Sequence, residues 1–309
     1  MCYSAQIRHD YNLYVRQFGA DIDIKEFVRL YWERQEGSKA KIPKAMDAAF
    51  ADPQSDDERA IKAMIDAWDR EQASKLEQEL FKQRKRLADA ERTLQVKTTK
   101  AATESKRIAT SKVEWALGKL ADLRRTTLVD EDSRIFPGWY APVLVSEGGR
   151  RMLKPMRYQC RPAGKPAFYD SKFPGTYNAR RDSLAGFWKQ QFGSSHGLMV
   201  ATRFYENVTG PDGSNKVLEF VPKDGAPMLI ACLWSHWSDP AGKEPDLLSF
   251  AAITDVPEPE VAAAGHDRTI INIKPAHLDT WLNPTGDLAA LEAILDDKAH
   301  PYYEHREAA

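Results

Sequence analysis

A chain of 309 residues, 42% of them hydrophobic, can bury a substantial core as one large domain or two ordinary ones, so disorder is excluded as the default. Lysine plus arginine number 44 against 45 aspartate plus glutamate, and a net charge of −1 gives no global attraction to a polyanion, so any nucleic-acid site must be a local basic patch. No apolar run approaches the roughly 18 residues of a membrane span and the N-terminus lacks the apolar core of a secretory signal, so the expectation is no membrane partner and a cytoplasmic location.

Met1 to Ile7 reads as a short strand and Asp23 to Gln35 as a helix, with a capping box from Asp23 and Glu26 and with Phe27, Leu30 and Tyr31 on one face. From Ser55 to Arg125 the texture changes: there is no proline, Gly118 is the single glycine, and charged residues, glutamine and alanine dominate. Ile61, Ile65, Trp68, Leu76, Leu80, Leu87 and Leu94 recur at threes, fours and sevens, and Val113, Leu117 and Leu120 continue the stripe. Two antiparallel helices turning near Thr98 to Thr103 fit this pattern, as does one continuous helix. The hairpin's basic cluster Lys82, Arg84, Lys85 and Arg86 is diluted by Glu77, Glu79 and Asp89, so residues 55–125 read first as a solvated hairpin, offering a surface to a protein partner or to a second copy of the chain.

Beyond Arg125, proline, glycine and β-branched or aromatic residues return in short runs. Tyr140 to Val145 and Arg151 to Tyr158 flank a Glu147-Gly148-Gly149 turn and predict a hairpin. Ser183 to Phe192 reads as a helix from the spacing of Leu184, Phe187 and Trp188. Strands are expected at Gly197 to Tyr205, Lys216 to Val221, Met228 to Trp234, Leu248 to Thr254 and Thr269 to Ile273, with Pro275 and two helices closing the chain. Runs of strands with few intervening helices predict an α+β fold with a curved, barrel-like, mostly antiparallel sheet.

Cys2 follows the initiator methionine. Aminopeptidase removal of Met1 would leave a free α-amine beside a thiol, and such a 1,2-aminothiol reacts specifically with aldehydes: the amine forms an imine and the sulfur closes a thiazolidine. The α-amine titrates near neutrality, so a useful fraction is nucleophilic. Cys160 and Cys232 show no zinc spacing and read as buried small hydrophobes. His9, His196, His236 and His277 show no ligand spacing either, so neither a metal nor another cofactor is expected.

Three separated segments carry further chemistry: Asn178-Ala179-Arg180 after a Pro-Gly turn, Phe204-Tyr205-Glu206 at a strand end, and His266-Asp267-Arg268 before a strand. With the opening Met1-Cys2 they resemble, in order, the NAR, FYE, HDR and MC motifs of the SRAP (SOS-response-associated peptidase) family. Met156-Arg157-Tyr158, Leu229 to Trp234 and Phe250 to Thr254 resemble that family's MRWG, FAGLW and FTIIT segments. The resemblance covers residues 1 to about 10 and about 135 to 285. It implies an SRAP-like catalytic domain formed by residues 1–54 and 126–309, with the helical block 55–125 as an insertion.

What the resemblance implies for function is a DNA-damage protein that crosslinks covalently, through Cys2, to abasic sites in single-stranded DNA. Glu206 takes the general acid–base role, His266 shuttles protons, and Asn178 orients the terminal amine and the sugar. Arg157, Tyr158, Arg180 and Arg268 would meet DNA, the guanidiniums by gripping phosphates. The alternatives are a cysteine (auto)peptidase, which the family name carries, with hydrolase or lyase-like activity, and an inactive scaffold that binds a partner through the helical hairpin. The sequence departs from the family in three places: Tyr3-Ser4 stands for the Gly-Arg of MCGR, Tyr158-Gln159 for the Trp-Gly of MRWG, and Asn207 for the tryptophan of FYEW. Those changes fall on aromatic and basic positions that would face DNA.

Overall fold

The computed structural model describes residues 3–210 and 212–308. Near the N-terminus, β1 (Ser4–Ile7) is followed by α1 (Tyr11–Phe18), β2 (Asp21–Ile22), α2 (Ile24–Gln35) and α3 (Lys44–Ala48). Asp23 caps α2 by accepting from the Glu26 N–H. The reciprocal half of the expected capping box is replaced by an ion pair, because Glu26 turns to Arg29 at 2.6 Å.

The charged block is two helices, α4 (Asp56–Val96) and α5 (Lys100–Arg124). The break falls at residues 97–99, where Thr99 caps α5 by accepting from the Ala102 N–H. Between them the seam is narrow. Ala102, Ala109 and Ala116 recur one heptad apart and are all buried, so the two backbones approach closely. Leu117, expected on that stripe, is 42% exposed, because its neighbour Ala116 holds the inward position. At the base of the hairpin, Ile61 and Ile65 enter the main core beside Phe27, Tyr31 and Phe50.

The sheet contains β3 (Arg134–Ile135), β4 (Tyr140–Glu147), β5 (Arg150–Tyr158), β6 (Asn178–Arg180), β7 (His196–Thr209), β8 (Asn215–Pro222), β9 (Met228–Trp237), β10 (Leu247–Asp255), β11 (Thr269–Ile270) and β12 (Tyr303–Glu307). Short helices α6 (Tyr169–Lys172), α7 (Pro259–Ala263), α8 (Leu278–Leu282) and α9 (Leu288–Asp296) punctuate it. Its pairings close a circuit: β4 pairs with β5, β5 with β10, β10 with β9, β9 with β7, and β7 returns to β4. Most pairings are antiparallel; β5 and β6 on β10, and β2 on β5, are parallel. The fold is therefore α+β, with the expected curved and barrel-like sheet.

Local sequence explains several joints. The β4–β5 hairpin turns through Gly148 and Gly149 with φ of 57° and 77°, the left-handed pair that a two-residue turn requires. Gly197 lets β7 press on β4, since a Cβ there would lie 2.9 Å from a Val143 methyl. Strand β10 is buried from Leu247 to Thr254 without alternation, as befits a strand covered on both faces.

One expected element does not form. Residues 184–194 make a series of turns after a short 3-10 segment at Arg181–Ser183. Leu184, Trp188 and Phe192 are buried, so their apolar period is real, but it serves an irregular segment interrupted by Gly186. The final strand β12, which pairs with β8 from Tyr303 to Glu307, carried no clear sequence signal.

Candidate active site

Strand β7 runs on beyond the closed circuit, and its far half pairs with β1 on one edge and β8 on the other. Glu206 lies in that far half, opposite Leu218, and only 1% of it is exposed. The turn at Gly265 runs alongside Val208, two residues along on the same face of β7, since a Cβ added at Gly265 would lie 4.0 Å from that side chain. That turn delivers His266, whose Nε2 stands 3.3 Å from a Glu206 carboxyl oxygen. The structure thus joins two of the residues named from the sequence, although 60 positions separate them.

Their protonation follows from burial. Removal from water pushes the Glu206 carboxyl up to about 8, even though the Tyr3 backbone N–H acts in the opposite direction. Burial also lowers His266, with its contact to the Arg268 carbonyl pulling the other way. Near neutral pH the pair is a neutral acid facing a neutral imidazole. His266 Nδ1 lies 2.9 Å from the Arg268 carbonyl oxygen, which can only accept, so Nδ1 carries the proton. The Arg268 N–H is also near Nδ1 at 3.4 Å, a longer and weaker contact. With Nδ1 protonated, Nε2 carries the lone pair, and it stands 3.3 Å from the Glu206 oxygen without the alignment of a formed hydrogen bond, so a small side-chain rotation brings the two into line for proton transfer. The arrangement can donate a proton from a carboxylic acid at neutral pH and recover it through the imidazole.

Asn178 begins β6, paired in parallel with Ala252 of β10. It is 6% exposed, and among the described residues neither its amide oxygen nor its amide nitrogen has a hydrogen-bond partner. Such a buried, unsatisfied amide costs stability. The C-terminal end of β10 brings the NAR and HDR segments near each other: Thr254 pairs with Arg180 of β6 on one edge and with Ile270 of β11 on the other. Cys2 lies outside the described residues. Tyr3, bonded to it in sequence, donates its backbone N–H to the Tyr205 carbonyl at 3.3 Å.

The residues expected to meet DNA fare differently. Tyr158, expected to meet DNA, is fully buried, its ring stacked 5.2 Å from Phe250 and edge-on to Tyr177. Arg157 pairs with Asp170 at 2.8 Å and donates to the Gln159 carbonyl, so it buttresses the β5 end. Burial alone would raise Asp170, yet the guanidiniums of Arg161 and Arg157 hold it below the usual carboxylate range. Arg180 is half exposed and paired with Asp182, and Arg268 pairs with Asp267 at 3.3 Å.

Gln159 has a φ of 110°, a left-handed conformation that suits glycine, and it stands where the family motif has glycine. Its side chain offsets part of that strain by donating to the Asp170 carbonyl. Sequence reasoning missed this strain and Asp170; the glycine-to-glutamine departure was the one available signal. Cys160 and Cys232 are fully buried, and burial pushes the Cys160 thiol up to about 12, so it stays protonated and unreactive. His196 is packed between Phe192 and Trp281 and lowered by burial to about 4, which fits a core role. Among the described residues no cluster of three or more potential metal ligands occurs, and no helix is long and apolar enough to cross a membrane.

Fold and site together define a class: a mixed α+β protein on a closed strand circuit, with a protonated carboxyl and an imidazole buried where the longest strand leaves it. The model of the SOS response associated peptidase (SRAP) family matches residues 92–307, more than half the chain, and the chain belongs to that family. This membership associates it with functions of the SOS-response-associated peptidase type. The matched span does not include residue 2. A comparison with curated proteins found no match.

A search of solved structures matched this chain to a protein from Bordetella bronchiseptica, 20% identical, with 57% of this chain and 87% of that one covered and a TM-score of 0.46. A Bacteroides thetaiotaomicron protein is 15% identical, with coverage of 59% and 80% and a TM-score of 0.49. A phage-related protein from Bordetella bronchiseptica is 19% identical, with coverage of 60% and 85% and a TM-score of 0.43.

Proposed function

We propose that this protein captures abasic sites in single-stranded DNA as a covalent adduct of Cys2. The α-amine of the processed chain attacks the sugar aldehyde and water departs as the imine forms; the sulfur then adds to the imine carbon and the nitrogen takes up a proton, closing a thiazolidine. An abasic sugar is mostly a ring-closed hemiacetal, so a general acid–base must first open it. Glu206 serves there and again protonates the departing hydroxyl, while His266 returns the proton. Asn178 offers a neutral amide that can orient the amine and the sugar without competing for the proton.

The observation that carries this reading is the position of the Glu206 carboxyl, buried and 3.3 Å from His266 Nε2, where removal from water pushes its pKa up to about 8. A group that must give up a proton at cellular pH needs that environment; an exposed glutamate would already have lost it. The peptidase reading suggested by the family description draws on the same pair, with a peptide carbonyl in place of the aldehyde.

A denaturing gel separates them. Mature protein mixed with single-stranded DNA bearing an abasic site is expected to give a shifted band that Cys2→Ala abolishes and that Glu206→Gln forms about 10²–10³-fold more slowly. Cysteine-dependent hydrolysis of a peptide with no such band would replace this reading with the peptidase.

A further inference from the structure

Beside the N-terminus lies a group of side chains that the chemistry above does not use. Tyr3 is 40% exposed, and its ring stands edge-on to Phe136 at 5.6 Å. Phe136 in turn lies 6.0 Å from Trp139, so Tyr3 is the outermost of three supported aromatic rings. Arg134 of β3 spreads its guanidinium 3.6 Å from the Tyr205 ring centre and 5.0 Å from that of Phe136. Its Nε donates to the Ser4 hydroxyl at 3.1 Å.

Those contacts hold the guanidinium plane but leave its outer edge unused. Three acidic side chains of the region are already engaged. Asp130 and Glu219 pair with Arg203, Glu219 also with Arg306, and Asp132 with Arg125. Among the described residues no carboxylate pairs with Arg134, and its four Nη hydrogens find no acceptor. A planar cation fixed by two rings, with its fork free, is built to receive the oxygens of a phosphate. An exposed ring next to it offers a face to a base.

We propose that Tyr3 and Arg134 form a nucleotide step on the strand that enters the active site, a base stacking on Tyr3 and its phosphate accepting from Arg134. The step would take over from two features that this chain lacks for the purpose: a basic residue at position 4, which is Ser4, and an open ring at position 158, where Tyr158 is buried. The inference rests on the single-stranded DNA reading and deepens it.

Binding can be measured without the covalent step, by fluorescence anisotropy on a labelled single strand carrying a tetrahydrofuran abasic analogue, which has no aldehyde, across a salt series. Arg134→Gln is expected to weaken binding several-fold at low salt and to reduce the slope of log affinity against log salt by about 0.7, the loss of one phosphate contact on a single strand. Tyr3→Ala should weaken binding by about ten-fold at unchanged slope, since stacking releases no counterions. Thermal melting of both variants accompanies the titration, and affinities are compared where each is folded. If the wild-type protein binds the strand while Arg134→Gln keeps its affinity and slope and Tyr3→Ala keeps its affinity, the nucleotide step is wrong and the DNA reading stands. If the wild-type protein does not bind the strand at all, both fall together.

Discussion

Glu206 shows how a single side chain sets both chemistry and stability. In the unfolded chain its carboxyl has the ordinary value of 4.5, and in the folded protein burial carries it to about 8. Below pH 4.5 both states hold the proton and no penalty exists. As pH rises from there to about 8, the unfolded chain releases its proton and the folded one does not, so stability falls; above that the loss is complete. The whole effect is on the order of a few kcal/mol. Glutamine cannot ionise, so Glu206→Gln is expected to flatten this dependence: its advantage in Tm over the wild type grows from pH 5 to 8 and then levels off. Parallel melting curves across that range would mean that Glu206 ionises normally in the folded protein. A site that keeps a carboxyl neutral thus sacrifices stability at working pH for a proton donor.

At the scale of elements, the hairpin owes its geometry to small residues. Ala109 is fully buried where α5 meets α4, within the series Ala102, Ala109 and Ala116. The ion pairs that flank the seam, Lys106 with Glu91, Lys112 with Glu79 and Arg124 with Glu77, lie toward solvent, where water and salt screen them, so they contribute little. Packing therefore decides the spacing. Leucine at 109 would force the helices apart, and Ala109→Leu is expected to destabilise the hairpin by about 1–3 kcal/mol despite its added apolar surface. Chemical denaturation followed by far-UV circular dichroism measures this; a variant as stable as the wild type would show that the seam has slack. The same element shows how far periodicity reaches. Recurrence at threes, fours and sevens revealed helix, and the cap at Thr99 resolved the choice between one helix and two. The stripe, however, included Leu117, because apolar character alone does not say which of two adjacent helical positions a partner helix covers.

For the whole molecule, the question is how the hairpin joins the body. Ile61 and Ile65 belong to the core that also holds the sheet, and Arg34 is fixed there by Asp47 at 3.0 Å and by the rings of Tyr31 and Trp68. Farther out, Leu80, Ala116 and Leu120 form a separate cluster. We infer that the outer hairpin is a removable unit while its base is part of the body. Replacing residues 74–118 with a short flexible turn should leave one cooperative transition near the wild-type Tm, whereas Ile61→Ala should cost about 2–5 kcal/mol of body stability. Collapse of the body on trimming the tip would count against this division.

The sequence by itself determined the α+β class, the hairpin, most strands, and the order of the motifs that carry the chemistry, because backbone periodicity, turn glycines and helix caps act over a few residues. Tertiary structure alone decided that Glu206 meets His266, that Tyr158 turns inward, and that Arg134 is left with an open edge. Those outcomes depend on which strands pair, in which register, and on which side chains are thereby cut off from water, and burial of that kind arises between segments tens of residues apart.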